Sequence, residues 1–527
     1  MLRNIIRTSS QLFPRNSRSF HSSSIVYDKG NEEDEYKAKL EKDEEGDDYW
    51  MTAPDPEHPV LRTMRVMGRQ VRDIKQRVFF WKETAPPDWD EWEIDSTGFP
   101  THVDVLIIGG GIMGMCAAYW LQKEGGKGFQ VVVVEDKPME EYTSSMLLTA
   151  SNLTQQYALE ENIEMSLFGT EFIRDVNKYL GIDKEPHIDI EFRPHGNLIL
   201  AKDEDAERLI KNVRLQNSMG VPTTIYTATQ LQRMFPWLNT EGIAIGTMGA
   251  EKEGSFNPYA LLRALRRKCI ALGVEIATAE VKGFIFSKIP NFTIVSPSTA
   301  DLYSKLNHAV VKTAAGEKKI IQFAAAVVAA GTQSGHISSL MKIGRTCGVR
   351  SVPLPVIPRP RHLCYFEAPE GPNLNTPLVN DLSGCFFRRE SLTNLYMASK
   401  IPPKENIESM EDVSEDNLLD SETYFHREIL PSLVERVPSF KNSKLISSKA
   451  GLYDYNYFDE NGVVGPHPLY SNIFFATGFG EQSFIQAPAV GRGITEYLRN
   501  TNYKTIDLYR LNFERFITNE EMRAKVV

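Results

Sequence analysis

The chain has 527 residues, 42% hydrophobic content and a formal net charge of −10. That length supports a large core and more than one domain, and the acidic balance argues against a nucleic-acid partner for the whole protein. The five cysteines (Cys116, Cys269, Cys347, Cys364, Cys385) contain no CxxC pair, and the ten histidines form no HExxH-type cluster, so neither a disulfide scaffold nor a metal site is expected.

Residues 1–27 lack Asp and Glu and carry Arg3, Arg7, Arg15 and Arg18 among serines, with Leu2, Ile5, Ile6, Leu12 and Phe13 as the apolar component. This is the composition of a mitochondrial transit peptide, which predicts a protein of the matrix or of the matrix face of the inner membrane; a disordered basic tail is the alternative. Residues 28–58 turn acidic, with Glu32–Glu35 and Asp43–Asp48 as charge blocks, and read as a solvated linker. Over 59–82, Leu61, Met64, Met67, Val71, Ile74 and Val78 recur at helical spacing beside Arg62, Arg65, Arg69 and Arg72. This basic amphipathic helix either makes a peripheral contact with an anionic membrane or a partner, or packs on the protein's own body. Pro86-Pro87 ends it, so residues 28–100 are linker plus helix ahead of the body. No transmembrane span is expected: the apolar stretch 103–121 holds Asp104 and four glycines.

The body opens with its most informative stretch. An apolar run, Val103–Ile108, leads into Gly109-Gly110-Gly111-Ile112-Met113-Gly114; a helical run follows, then a β-branched run, Gln130–Val134, ending at Glu135. Strand, glycine turn, helix, strand and acid stand in the order of a dinucleotide site. Gly109 allows the tight turn, Gly111 lets the backbone approach a pyrophosphate, and Gly114 lets the helix pack close to the strand. Glu135, about 20 residues on, is placed to hold a ribose hydroxyl. Further along, 171–180, 205–219 and 258–272 read as helices, and 197–200 and 242–246 as strands. Residues 283–320 and 401–420 read as polar surface excursions. Two later apolar strands, Gln322–Ala329 and Ile473–Ala476, end in Ala330-Gly331 and Thr477-Gly478, where small residues allow a flat cofactor to approach. Pro488 is placed to start a helix running to about Leu498, whose positive end would face the same crevice.

These features together resemble the FAD-dependent amine oxidoreductases of the D-amino-acid oxidase type, a group that includes sarcosine oxidase and dimethylglycine dehydrogenase. Gly254-Ser255-Phe256-Asn257-Pro258 and Ala450-Gly451-Leu452-Tyr453-Asp454 fit that pattern. Glu161-Asn162-Ile163, Phe387-Arg388-Arg389-Glu390, Asn461–Pro468 and Gln486-Ala487-Pro488 resemble a mitochondrial branch of it that acts in the assembly of respiratory complex I. The resemblance implies an α/β fold: a Rossmann-type FAD-binding domain with a second, mainly antiparallel α+β substrate or cap domain. The body would span 101–510, with FAD-binding segments at about 103–185, 250–340 and 445–498, cap segments at about 186–249 and 341–444, and a tail over 511–527.

By the same resemblance, Gly109, Gly111, Ile112, Met113, Gly114 and Glu135 hold the ADP half of FAD, Val281 lies near the adenine, Ser144 and Ser145 reach the pyrophosphate and flavin, and Gly331 and Gly478 border the cofactor. Amine oxidation in the family passes a hydride from the carbon next to nitrogen to the flavin. A substrate carboxylate needs a cationic clamp, for which Arg388 is the first candidate and Arg389 the second; as neighbours on a strand, only one of them points inward. Structural salt bridging is the competing reading for both. Tyr453 lines the pocket or packs in a core, His467 is a turn residue or a site residue, and no general base is assigned. The sequence departs from the family at Gly480-Glu481-Gln482-Ser483, where Glu481 brings negative charge toward a reduced flavin. Gly451 and Thr149 stand where relatives with covalent flavin carry Cys or His, so FAD is expected to be non-covalent. The expected function is a FAD-binding protein required for the assembly or stability of respiratory complex I, with little turnover. The alternatives are an active amine or N-methyl amino acid dehydrogenase or oxidase, and an interaction protein with an empty dinucleotide fold.

Overall fold

The computed structural model describes residues 39–42, 49–52, 99–137, 151–296, 299–345, 348–390, 392–401 and 420–523. The transit peptide (1–27), the basic segment 59–82, Ser144, Ser145 and Thr149, and most of the excursion at 401–420 lie outside the described residues.

Two sheets organise the chain. In the first, the strand order is Lys39–Lys42, Tyr49–Thr52, Glu275–Ser296, Val131–Glu135, His102–Ile108, Lys318–Val328, Ile473–Thr477 and Val463–Pro466, with Thr299–Thr313 paired to both Glu275–Ser296 and Lys318–Val328. Its centre is parallel: His102–Ile108 lies between Val131–Glu135 and Lys318–Val328, which in turn pairs with Ile473–Thr477. Those strands are apolar on both faces because both faces are covered. Val105 and Ile107 join the helix-side core with Met115, Leu265 and Val490, whereas Leu106 and Ile108 join the opposite core with Phe284, Ile337 and Phe475.

The second sheet runs Lys444–Asn456, Val356–Glu367, Leu395–Lys400, Cys385–Arg389, Leu378–Asn380, Asn197–Ala201, Ile245–Gly249 and Thr223–Thr227. Its pairings are antiparallel except for Leu378–Asn380 with Asn197–Ala201. One face packs Phe366, Phe387, Tyr396 and Ala398 against Phe425, Leu433 and Phe440 of the helical segment 421–442. Period-two alternation therefore leaves Arg359, Arg361, Leu363, Phe386, Arg388, Met397 and Tyr453 for the other face. The α/β fold with a second, mainly antiparallel sheet is the expected one, with one parallel pairing in that sheet.

Five expectations are corrected. Residues 283–320 are not an excursion but parts of three long strands, with Phe284, Phe286, Leu306, Ala309 and Val311 in one core and Ile285 and Val310 between them buried as well. Inside the expected acidic linker, Lys39–Lys42 and Tyr49–Thr52 form an antiparallel hairpin, and the second strand adds to the edge at Gly283–Phe286. The helix near Pro488 begins earlier, at Ser483, and runs to Asn500; Pro488 lies inside it and withholds one backbone hydrogen bond. Residues 511–523 are not a loose tail: Leu511 and Phe513 are buried, and Arg515 is paired with Asp459. The strand 444–456 also belongs to the second sheet rather than to an FAD segment, and its far end supplies Tyr453 and Asp454.

Candidate functional site

The carboxyl ends of four strands meet at one place. Gly109 N–H donates to Val134 O (2.9 Å), and Ala329 N–H donates to Ile108 O (2.8 Å). Thr477 Oγ1 donates to Ser334 Oγ (2.7 Å), which ties the strand end before Gly478 to the helix that follows Gly331. Above them lies a cavity of about 670 Å³. Gly109, Gly111, Ile112, Met113, Glu135, Val281, Gly331 and Tyr453, all named from the sequence, line it.

The glycines do three different jobs. Gly109 has φ +108°, and a Cβ there would sit 2.3 Å from Ala329 O. A Cβ on Gly114 would sit 1.9 Å from Gly109 O, so this glycine sets the helix against the turn. A Cβ on Gly111 would meet nothing within 4 Å, because the cavity lies over it. The Glu135 carboxylate accepts from Gly110 N–H, so the acid also braces the turn. The helix beginning at Ile112 has no side-chain cap, which leaves its first N–H groups directed at the cavity for an anion. A Cβ-free cradle beneath a helix N-terminus fits a dinucleotide pyrophosphate. Gly478 stands at φ +77° beside the cavity wall but does not line the cavity itself.

Asp454 closes the Ala450–Asp454 stretch. Its Oδ2 accepts from Gly478 N–H (2.8 Å) and Phe479 N–H (3.1 Å), which fixes the turn leading into the Ser483 helix. Burial pushes its carboxyl up to about 6, against the backbone donors that hold it down.

Arg388 and Arg389 do diverge, as adjacent strand residues must. Neither lines the cavity. Arg388 is buried, donates from Nη1 to Ser255 Oγ (2.6 Å) and pairs through Nη2 with Glu390 (2.9 Å). The same Ser255 Oγ lies 2.9 Å from His195 Nε2, and burial pushes that imidazole down to about 4. Arg389 turns to the other side and donates to Pro372 O (2.7 Å). Arg388 fits the competing reading, a structural salt bridge, through Glu390, whereas Arg389 is held by carbonyl and amide oxygens of Pro372, Leu392 and Asn394; neither is placed as a clamp on this cavity. His467 is likewise a turn residue: its Nδ1 accepts from Leu469 N–H (3.1 Å) and Tyr470 N–H (3.3 Å).

The cation beside the cavity is one the sequence reading missed. Arg361 Nη1 pairs with Glu481 Oε1 at 2.7 Å, and its guanidinium lies 5.7 Å from the centroid of the Tyr453 ring. The charge that Glu481 brings toward the site is thus balanced within the protein. Arg359, two residues earlier on the same face, lies over Tyr455 at 4.2 Å. The alternation Arg359-Pro360-Arg361 was the available signal, since a period of two puts both guanidinium groups on one face. Among the described residues, no group of three or more His, Cys, Asp or Glu could hold a metal, and no helix is long and apolar enough to cross a membrane.

Comparison with known proteins gives the same outline. The family DAO, FAD dependent oxidoreductase, matches residues 104–497. The FAD-dependent oxidoreductase domain-containing protein 1 homolog of Drosophila melanogaster is 37% identical over 488 residues, covering 88% of this chain and 91% of that protein. The protein of the same name from Bos taurus is 38% identical over 436 residues, 81% of this chain and 87% of that one. Among solved structures, L-proline dehydrogenase from P. horikoshii superposes with a TM-score of 0.62 at 20% identity, covering 80% of this chain and 100% of that one.

Proposed function

The chain belongs to the DAO family of FAD-dependent oxidoreductases, and on that premise we propose that it is a mitochondrial flavoprotein that holds FAD non-covalently and serves the assembly of respiratory complex I, with little turnover of its own. The observation that carries the low-turnover reading is the Arg361–Glu481 pair: the cation beside the cavity is already matched by the protein's own carboxylate. FAD, when bound, supplies a hydride acceptor. The chain's own residues do the rest. Gly109, Gly111 and the Ile112 helix N-terminus would hold the pyrophosphate, and Glu135 and Val281 would border the adenosine half. Asp454 holds the 478–480 turn, and the cap sheet presents Tyr453 to the cavity. Gly451, at one of the positions where covalent relatives carry Cys or His, supports non-covalent attachment. The mitochondrial address and the complex I partner rest on the composition of residues 1–27 and on the resemblance of the motifs quoted above.

The second reading, an active amine or N-methyl amino acid dehydrogenase or oxidase, is favoured by the size of the cavity and the aromatic wall at Tyr453. A visible spectrum of the protein lacking its first 27 residues separates the two. It is taken before and after anaerobic addition of sarcosine, dimethylglycine and D- or L-amino acids. We expect a flavin spectrum that none of them bleaches. Bleaching by one compound establishes turnover and names its substrate class. For the partner, Gly111→Val is expected to fail where the wild-type chain restores complex I levels in cells lacking the protein. Full restoration by the FAD-free variant would separate the assembly role from the cofactor.

A further inference from the structure

The cap strand Val356–Glu367 carries Arg361 toward the flavin side of the second sheet. The side chain is 3% exposed, and its guanidinium lies 5.1 Å from the centroid of Phe386 and 5.7 Å from that of Tyr453. A charge enclosed by two aromatic rings and withheld from water needs an anion. Nε is engaged by Ser399 Oγ at 3.3 Å, Nη1 by Glu481 Oε1 at 2.7 Å, and Nη2 has no hydrogen-bond partner among the described residues. Such a fork is built to take a carboxylate through two parallel N–H groups, and here one arm is used and the other is left unmatched.

Glu481 reaches Arg361 from a different element. It sits in the single turn Gly480–Gln482 that precedes the Ser483 helix, between Gly478 (φ +77°) and the cavity-lining Ser483, and its side chain is 35% exposed. The buried Arg361 lies behind the cavity-lining Tyr453, and the more exposed Glu481 is flanked by the cavity-lining Gly480 and Ser483. A ligand carboxylate could reach Arg361 only by stripping Glu481 from it or by sharing the fork against like-charge repulsion.

Resting on the reading of the cavity as a flavin site, we propose that Glu481 is a specificity-determining residue, an internal carboxylate that occupies Arg361 in place of a ligand's own. The site therefore discriminates against small monocarboxylate amino acids and leaves room for amines that carry no carboxylate at that point. Removing the Glu481 charge opens the site to carboxylates through Arg361.

The test uses FAD-loaded wild type, Glu481→Gln, Glu481→Ala and the double variant Arg361→Ala/Glu481→Ala, with flavin content measured first. Each is titrated with benzoate, read by calorimetry and by the shift of the flavin absorbance. We expect benzoate affinity to rise about tenfold or more in Glu481→Ala, less in Glu481→Gln, and to return to the wild-type level in the double variant. Equal affinity in wild type and both single variants, with flavin retained, overturns the proposal, as does a gain that survives loss of Arg361. The near-isosteric Gln variant keeps the test valid where Ala disturbs the turn. A folded wild-type protein that takes up no flavin defeats the reading of the site, and this proposal with it. Normal flavin with no gain defeats this proposal alone.

Discussion

Gly111, Gly109 and Gly114 share one turn but face different surroundings, and substitution separates them. Gly111 has φ −69°, which any residue adopts, and open space where its Cβ would point. Gly111→Val is therefore expected to leave the FAD-free protein within about 0.5 kcal/mol of wild type while abolishing FAD binding. Gly114→Ala drives a methyl into the carbonyl of Gly109 and should cost about 1–3 kcal/mol in the same FAD-free protein. Chemical denaturation of the two apoproteins checks this, and equal losses would mean that Gly111 is packed. Asp454 sets a pH dependence of definite sign. Burial lifts its carboxyl from 3.8 to about 6, so between those values the folded protein holds a proton that the unfolded chain has released. Its contribution to stability falls as pH rises through that window and is flat above it, by an amount on the order of 2–3 kcal/mol. Asp454→Asn removes this slope, so the variant should gain on wild type between pH 4 and pH 7 in urea unfolding of the apoprotein. Parallel profiles would refute the assignment. His467 acts in the opposite sense: burial holds it down to about 4, so its share of stability is lost as pH falls from 6.5 toward 4.

At the scale of elements, the family motifs that look scattered in the sequence meet at one junction. Asn162 and Asn461 exchange side-chain amide bonds (2.9 and 3.1 Å), and Asn461 also donates to Met522 O (2.8 Å). Arg515 forks onto Asp459 (2.7 and 3.2 Å), with both side chains nearly inaccessible. The 160–174 helix, the 456–462 loop and the C-terminal segment are held together there. Asp459→Ala strands Arg515 without its anion and should cost about 3–5 kcal/mol, whereas Asp459→Leu with Arg515→Met should recover only part of that loss, because Asp459 also accepts from Asn456 Nδ2, Asn461 N–H and Met522 N–H. Denaturation midpoints of the three variants test it, and a small loss in Asp459→Ala would mean that the C-terminal segment is not part of the cooperative body. What the sequence disclosed at this scale follows from where its signals sit. The 258–272 helix was legible at both ends because Asn257, Pro258 and Gly273 are local: an N-cap accepting from Ala260 N–H, a proline in the first turn and a left-handed C-cap. The long strands within 283–320 were not, because polar residues across 287–307 separate the apolar runs Phe284–Phe286 and Ala309–Val311, although the strands pair as consecutive hairpins. Pro488 misled because a proline marks a helix start as readily as it sits within one. The glycine turn and Glu135 form a contiguous motif, so that half of the site was readable; the Arg361–Glu481 pair joins distant segments and exists only once two sheets are in place.

At the scale of the whole molecule, the cavity is bounded from both sheets. Ile108, Glu135 and Val281 come from the first, and Pro358, Leu452 and Tyr453 from the second. A cofactor that fills it touches both and meets its site only in the folded chain, so binding must appear as stability. At FAD a hundredfold above its dissociation constant, the gain is about 2.7 kcal/mol. For a body of this size that is a rise of about 3 °C in the thermal midpoint, since the unfolding entropy scales with the number of residues. Calorimetry of the apoprotein with and without FAD should show this rise in wild type, and Gly111→Val should show none at the same FAD concentration. The form of the transition carries further information. If FAD holds the two sheets as one unit, the apoprotein should unfold over a broader range or in two steps, and the holoprotein in one. A single sharp transition in both, separated only by the midpoint shift, would mean that the protein contacts between the sheets already suffice and that FAD adds only its binding energy. No shift in wild type at saturating FAD would contradict the cradle built by Gly109, Gly111 and Gly114, whatever the partner of the folded protein.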